Sequence, residues 1–162
     1  MKISSIRAIT GPNIYSYRPI LVMRLHLEEL TGKESCDVSG FNERLLRLLP
    51  GVRNHHCSKG RPGGFVEWLE ESASFGHIVE HVALELTDLV GIGTFHGKTL
   101  AAGAPGVYNL VIEYKAEKGA EFLIRKAVEV IESLLRGESF LIDETLAAAR
   151  DILARTELGP NT

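Results

Sequence analysis

What the 162-residue chain lacks narrows its chemistry first. It has only two cysteines, Cys36 and Cys57, too few for a disulfide framework and compatible with a reducing cytoplasm. Its longest apolar runs, Pro19 to Met23 and Val107 to Ile112, fall far below the ~20 residues that a membrane-spanning helix needs. Positive charge is not in excess: 18 Lys and Arg against 21 Asp and Glu give a formal charge of −3. With no basic stripe interleaved with aromatics, nothing points to nucleic acid. A phosphate loop is missing too, since Gly91-Ile92-Gly93 has no continuation of the G-x-x-x-x-G-K-[ST] kind. The opening Met1-Lys2-Ile3-Ser4-Ser5-Ile6-Arg7 carries charge where a leader's apolar core would lie, so it does not read as a secretory signal. No internal repeat or low-complexity tract is visible. With 44% apolar residues, the expectation is a cytoplasmic α+β domain with a real core.

Taken in order, residues 2 to 10 alternate loosely through Ile3, Ile6 and Ile9 and stop at the turn Gly11-Pro12-Asn13. Residues 19 to 27 read as a strand with Leu21, Met23, Leu25 and Leu27 on one face and Arg24 and His26 on the other. Helical spacing runs from Gly40 to Leu49 and ends at Pro50-Gly51. The next segment, Asn54-His55-His56-Cys57-Ser58-Lys59-Gly60-Arg61-Pro62-Gly63-Gly64, concentrates histidine, cysteine, cations and glycine. It is either an ordinary surface loop or a binding loop, because functional groups gather on loops held by a scaffold. A Cys/His zinc finger does not fit, since no second ligand pair with finger spacing follows. Val107 to Tyr114 is the best strand of the chain, with Val107, Asn109, Val111 and Glu113 on one face. Helices are expected over 117 to 136 and 142 to 156. Residues 92 to 104 leave room for one more strand. The resulting fold is a mainly antiparallel sheet with helices packed on it.

The stretch Ser74-Phe75-Gly76-His77-Ile78-Val79-Glu80-His81-Val82-Ala83-Leu84-Glu85-Leu86 stands apart from the rest. Ser74 suits an N-cap, and a helix should run to about Val90 before Gly91. Ile78, Val79, Val82, Ala83, Leu86 and Val90 form its core stripe, which turns His77, His81 and Asp88 toward solvent or a cleft. Histidines four apart share a helical face, and H-x-x-E-H is the inverted zincin order, two imidazoles for Zn²⁺ and a glutamate for water. A solvated helix face is the competing reading. A catalytic zinc needs three protein ligands and an open position. Glu113 is the preferred third ligand, because its strand face must be covered and the central helix is a candidate cover. Glu67 comes next, and Asp143 or Glu144 stay open. Glu80 is the expected general base. Glu85 is placed to hydrogen-bond a ligand imidazole from behind.

Several spaced motifs then carry a resemblance over nearly the whole chain. They are Gly11-Pro12-Asn13, Val22-Met23-Arg24-Leu25, Gly40-Phe41-Asn42-Glu43-Arg44-Leu45, Gly63-Gly64-Phe65-Val66-Glu67, Gly76 to Leu86, and Pro105-Gly106-Val107-Tyr108-Asn109. Together they resemble the N-terminal domain of cyanophycin synthetase. The resemblance implies a parent ligase that builds a poly-aspartate backbone with arginine branches. Its ATP and Mg belong to ATP-grasp and Mur-ligase-like domains further along the same chain, and the intact enzyme is expected to be a homo-oligomer. Residues 1–157 are then the N-terminal domain, and 158–162, with Leu158-Gly159-Pro160, the start of a linker toward the ATP-grasp domain. The domain is expected to bind the polymer and, at His77, Glu80 and His81, to hydrolyse it into primers with zinc. Such a polymer needs acids for its guanidiniums and cations for its carboxylates, with Lys59, Arg61, Glu67 and Glu85 the expected contacts. A non-catalytic anchoring domain, or the N-terminal domain of a related ligase with another substrate, are the alternatives.

Overall fold

The computed structural model describes residues 1–93 and 96–157. Strand β1 (Lys2–Ile9) pairs with β2 (Ile20–His26), which pairs with β4 (Val107–Glu113), and β3 (Gly97–Ala101) closes the other edge. All three pairings are antiparallel, giving the order β1-β2-β4-β3. Edge strand β3 falls inside residues 92 to 104, where the sequence leaves room for it. Helices α1 (Phe41–Leu48), α2 (Gly64–Glu71), α3 (Phe75–Leu89), α4 (Glu117–Leu135) and α5 (Ile142–Glu157) complete the α+β architecture. No described helix is long and apolar enough to cross a membrane. The expected linker residues 158–162 lie outside the described residues.

Strand parity decides which face carries the helices. Leu21, Met23, Leu25 and Leu27 alternate along β2 and its end and are all buried in the main core, as their spacing predicts. Helix α3 packs on β3 and β4, α4 lies beside α3 and reaches β2, and α5 rests on α4. Phe41, Phe65 and Phe75 are wholly buried, with the rings of Phe41 and Phe75 edge-to-face at 5.2 Å. The opposite sheet face holds a smaller cluster of Ile20, Val22 and Val111, with Ile9, Tyr15 and Leu100 packed against it.

Helix α3 is central because both its sides are covered. Its expected stripe of Ile78, Val79, Val82, Ala83 and Leu86 is buried, but so are Glu80, His81, Leu84, Glu85 and Thr87. Ser74 caps it as the sequence suggests, accepting a hydrogen bond from the His77 backbone N–H. At its first turn α3 comes so close to β4 that a Cβ on Gly76 would lie 2.9 Å from the Tyr108 ring. Glycine costs about 1 kcal/mol against alanine inside a helix, and here that cost permits a close helix–sheet approach. Gly76→Val is therefore expected to lower stability by about 1–3 kcal/mol, the usual range for overpacking. Urea denaturation checks this, and an unchanged midpoint would show that Tyr108 moves aside freely.

Candidate metal centre

Three segments converge on the polar side of α3. The helix contributes His77, Glu80, His81 and Glu85, the loop after α1 contributes His55 and Cys57, and β3 contributes Gly97 and Thr99. Their side chains line a cleft of about 1330 Å³, with Lys98, Asp88 and Asp143 also on its wall.

The loop is held over the helix by packing. Phe65, at the start of α2, lies flat on the His81 ring with centroids 3.9 Å apart, and its edge meets His77 at 5.8 Å. Short helical turns at Pro50–Asn54 and Cys57–Lys59 carry the chain toward α2. A Cβ on Gly64 would collide with the His56 carbonyl, so glycine allows the loop to fold back on α2. Cys57 itself sits at φ +52°, in the left-handed region where a non-glycine residue is uncommon. Such a conformation persists only where surrounding structure enforces it, and it aims the thiol at α3.

The Cys57 Sγ stands 3.1 Å from His77 Nε2, and His77 Nε2 stands 3.1 Å from His81 Nε2. All three atoms lie within 4.8 Å of one another. Tetrahedral zinc, with bonds of about 2.0 Å to nitrogen and 2.3 Å to sulfur, separates its ligand atoms by about 3.3–3.6 Å. Around such an ion the two 3.1 Å contacts would open by a few tenths of an ångström, and the Cys57–His81 separation, within 4.8 Å, would close by up to about an ångström. One nitrogen of His77 also faces two heteroatoms at once, and a single N–H or lone pair satisfies only one of them well. A shared cation would resolve that crowding. Both histidines favour the neutral, ligating form: burial pushes the His77 imidazole below its ordinary value. His81 is pushed down to about 2, first by burial and then by neighbouring His77 and His55.

Glu80 lies on the same cleft, and its Oε2 accepts a 2.6 Å hydrogen bond from the Thr99 hydroxyl. Burial raises its carboxyl above the ordinary value, against smaller lowering effects from Thr99 and His55. A Cβ on Gly97 would lie 2.8 Å from Glu80 Oε1, so β3 approaches the carboxylate along bare backbone. Behind His81, its Nδ1 is 2.8 Å from Nδ1 of His55, whose Nε2 is 3.0 Å from Glu85 Oε2.

Not all of the expected site residues gather at the histidines. Glu113 is not gathered with the histidines. Its strand face belongs to the outer side of the sheet with Val111, and its carboxylate accepts from Ser16 and pairs with Arg18 at 3.8 Å. Cys57 stands where the third ligand was sought. The histidine face lines a cleft, one of its two expected settings, and is largely withdrawn from water: His81 is 4% exposed, Glu80 6% and Glu85 5%. Glu85 hydrogen-bonds His55 rather than a ligand imidazole directly, and it is not offered at the surface. Glu67 is turned to Arg61 at 2.8 Å, and Lys59 bonds Glu71 at 2.9 Å, so these four form a surface patch of alternating charge on α2 and its preceding loop. His55 and Cys57 were absent from the expected ligands. Their only signal was the density of histidine, cysteine and glycine between Asn54 and Gly64.

Residues 22–136 match the family model described as the cyanophycin synthase-like N-terminal domain. The chain is 41% identical, over its whole length, to a cyanophycin synthetase of Synechocystis. It is likewise 38% identical to one of Geminocystis herdmanii and 39% identical to one of Crocosphaera subtropica. The chain belongs to the family of cyanophycin synthase-like N-terminal domains. It spans 19% of the length of each of these three relatives.

Because the Phe65 ring is both fully buried and stacked on His81, Phe65→Ala should lower stability by about 3–5 kcal/mol. Urea denaturation measures this. A loss below about 1 kcal/mol would show that the loop is anchored elsewhere.

Proposed function

We propose that this chain is a polymer-handling domain whose α3 face hydrolyses cyanophycin into primers at a zinc site held by Cys57, His77 and His81. The observation that carries the reading is the convergence of a thiol and two neutral imidazoles beside a buried carboxylate in one cleft. The donor set suits zinc better than a type 1 copper centre with axial methionine. One of the two methionines, Met1, begins β1's edge of the sheet, and the other, Met23, is buried in the main core.

When bound, zinc supplies a Lewis acid and brings the pKa of a coordinated water toward neutrality. Cys57, His77 and His81 are the residues that would hold the ion. Glu80 takes the proton from the attacking water and returns it to the leaving nitrogen as the amide C–N bond breaks and the new C–O bond forms. Thr99 holds the Glu80 carboxylate in place through its hydroxyl. Phe65 excludes solvent from the far side of His81. Cyanophycin, with guanidinium branches and free carboxylates, suits a cleft wall that offers both acids and Lys98.

In this proposal the parent is a cytoplasmic, ATP-dependent ligase and homo-oligomer. ATP-grasp and Mur-ligase-like domains follow in the same chain and use ATP and Mg. A second reading, non-catalytic anchoring of the polymer, is favoured by the patch of Lys59, Arg61, Glu67 and Glu71, which presents both charge signs at the surface.

The test combines metal analysis with cleavage. The purified 162-residue chain should carry one zinc, and Cys57→Ala should lose it while Glu113→Gln keeps it. Glu80→Gln should retain zinc and cut cyanophycin at least about 100-fold more slowly, the usual scale for a general base. Equal cleavage by Glu80→Gln sinks the hydrolytic reading. Polymer binding that survives His77→Ala and His81→Ala in a metal-free chain supports anchoring instead.

A further inference from the structure

The ring-to-ring contact behind His81 has a direction that the neighbouring carboxylate determines. Only one proton fits between His81 Nδ1 and His55 Nδ1, which stand 2.8 Å apart. Glu85 Oε2, 3.0 Å from the other nitrogen of His55, is an acceptor only when ionised. A neutral His55 must therefore carry its proton on Nε2 and donate it to Glu85. Its Nδ1 is then a bare lone pair and accepts from the Nδ1–H of His81. That leaves His81 Nε2 unprotonated and directed at His77 Nε2 and Cys57 Sγ.

We propose that Glu85 and His55 are positioning residues that hold His81 in the Nδ1–H tautomer, so that its Nε2 is ready to ligate before any ion arrives. This rests on the metal reading for its purpose, though not for its geometry. Hydrogen bonds to the distal nitrogen of a ligand imidazole commonly set its tautomer and orientation. Here the carboxylate acts through a second imidazole, and each member is fixed from another side. Both side chains of the outer pair are nearly buried, His55 at 13% and Glu85 at 6% exposed. Phe65 covers His81, stacked at 3.9 Å, and meets His55 at 6.2 Å. Gly51 makes room for the acceptor: a Cβ there would overlap the Glu85 carboxylate. The close approach of that loop thus places His55 within reach of Glu85.

The deciding measurement is long-range ¹H–¹⁵N NMR on histidine-labelled, metal-free chain, which needs no variant. His81 should show a protonated Nδ1 and an unprotonated Nε2, and the opposite assignment overturns the proposal. Glu85→Gln keeps a carbonyl acceptor and should preserve both the tautomer and zinc affinity within about threefold. Glu85→Leu and His55→Phe should mix the His81 tautomers and weaken zinc binding by about 10–100-fold in chelator competition. Circular dichroism identifies any variant that fails to fold, in which case the wild-type spectrum alone decides. Folded Glu85→Leu and His55→Phe variants with wild-type tautomer and affinity refute the relay while leaving the zinc site intact. A chain with the predicted tautomer that binds no zinc refutes the metal reading and supports the relay.

Discussion

The stack of Phe65 on His81 joins the two halves of the molecule that matter for function. One half is the sheet with α3 and α4, a conventional layered core of leucine, valine and isoleucine. The other is the segment from Pro50 to Glu71, which enters that core through Val52, Phe65 and Leu69. Phe65 gives that segment a large apolar anchor, and the place it anchors is the polar side of α3. Once the ring is seated, Cys57, His55 and the α2 helix have fixed positions relative to His77 and His81. Burial of a single aromatic side chain, worth about 2–3 kcal/mol in transfer terms, thus converts an exposed helix face into an enclosed cleft.

The frame was readable from periodicity. β2 and α3 appear with the predicted core faces, because alternation and helical spacing report directly which residues meet the main core. H-x-x-E-H was equally visible, since its members share one helix and need no tertiary knowledge. What failed depended on how separate segments meet. Glu113 reads as a ligand because its strand face needs a cover, but that face is the outer one, where Ile9, Tyr15 and Leu100 pack. Strand parity groups residues by face without saying which face a helix will occupy. His55 and Cys57 lie 22 and 20 residues before His77 on a loop whose path depends on Gly64, Phe65 and a left-handed Cys57. No local pattern encodes that path.

Enclosure also changes what the acids and bases of the site are. An exposed histidine pair would titrate near neutrality, whereas burial keeps His77 and His81 in the unprotonated form that ligates metal. The same burial raises the Glu80 carboxyl, making it a better proton acceptor once ionised. One physical cause, removal from water, therefore prepares both kinds of group for their proposed roles. The residues outside the enclosure, Lys59, Arg61, Glu67 and Glu71, remain paired surface charges.

The glycines around α3 give the site an unusual pattern of vulnerability. Gly51 faces Glu85, Gly64 faces the His56 carbonyl, Gly76 faces Tyr108 and Gly97 faces Glu80, each without space for one more carbon. A hydrophobic core is damaged chiefly by subtraction, because lost methylenes leave cavities. This cleft is instead exposed to damage by addition, at four places drawn from four different elements. A single methyl at any of them presses on a different part of the machinery: the outer carboxylate, the loop, the helix–sheet spacing or the base. Mutational tolerance around the centre should accordingly follow side-chain volume more closely than polarity.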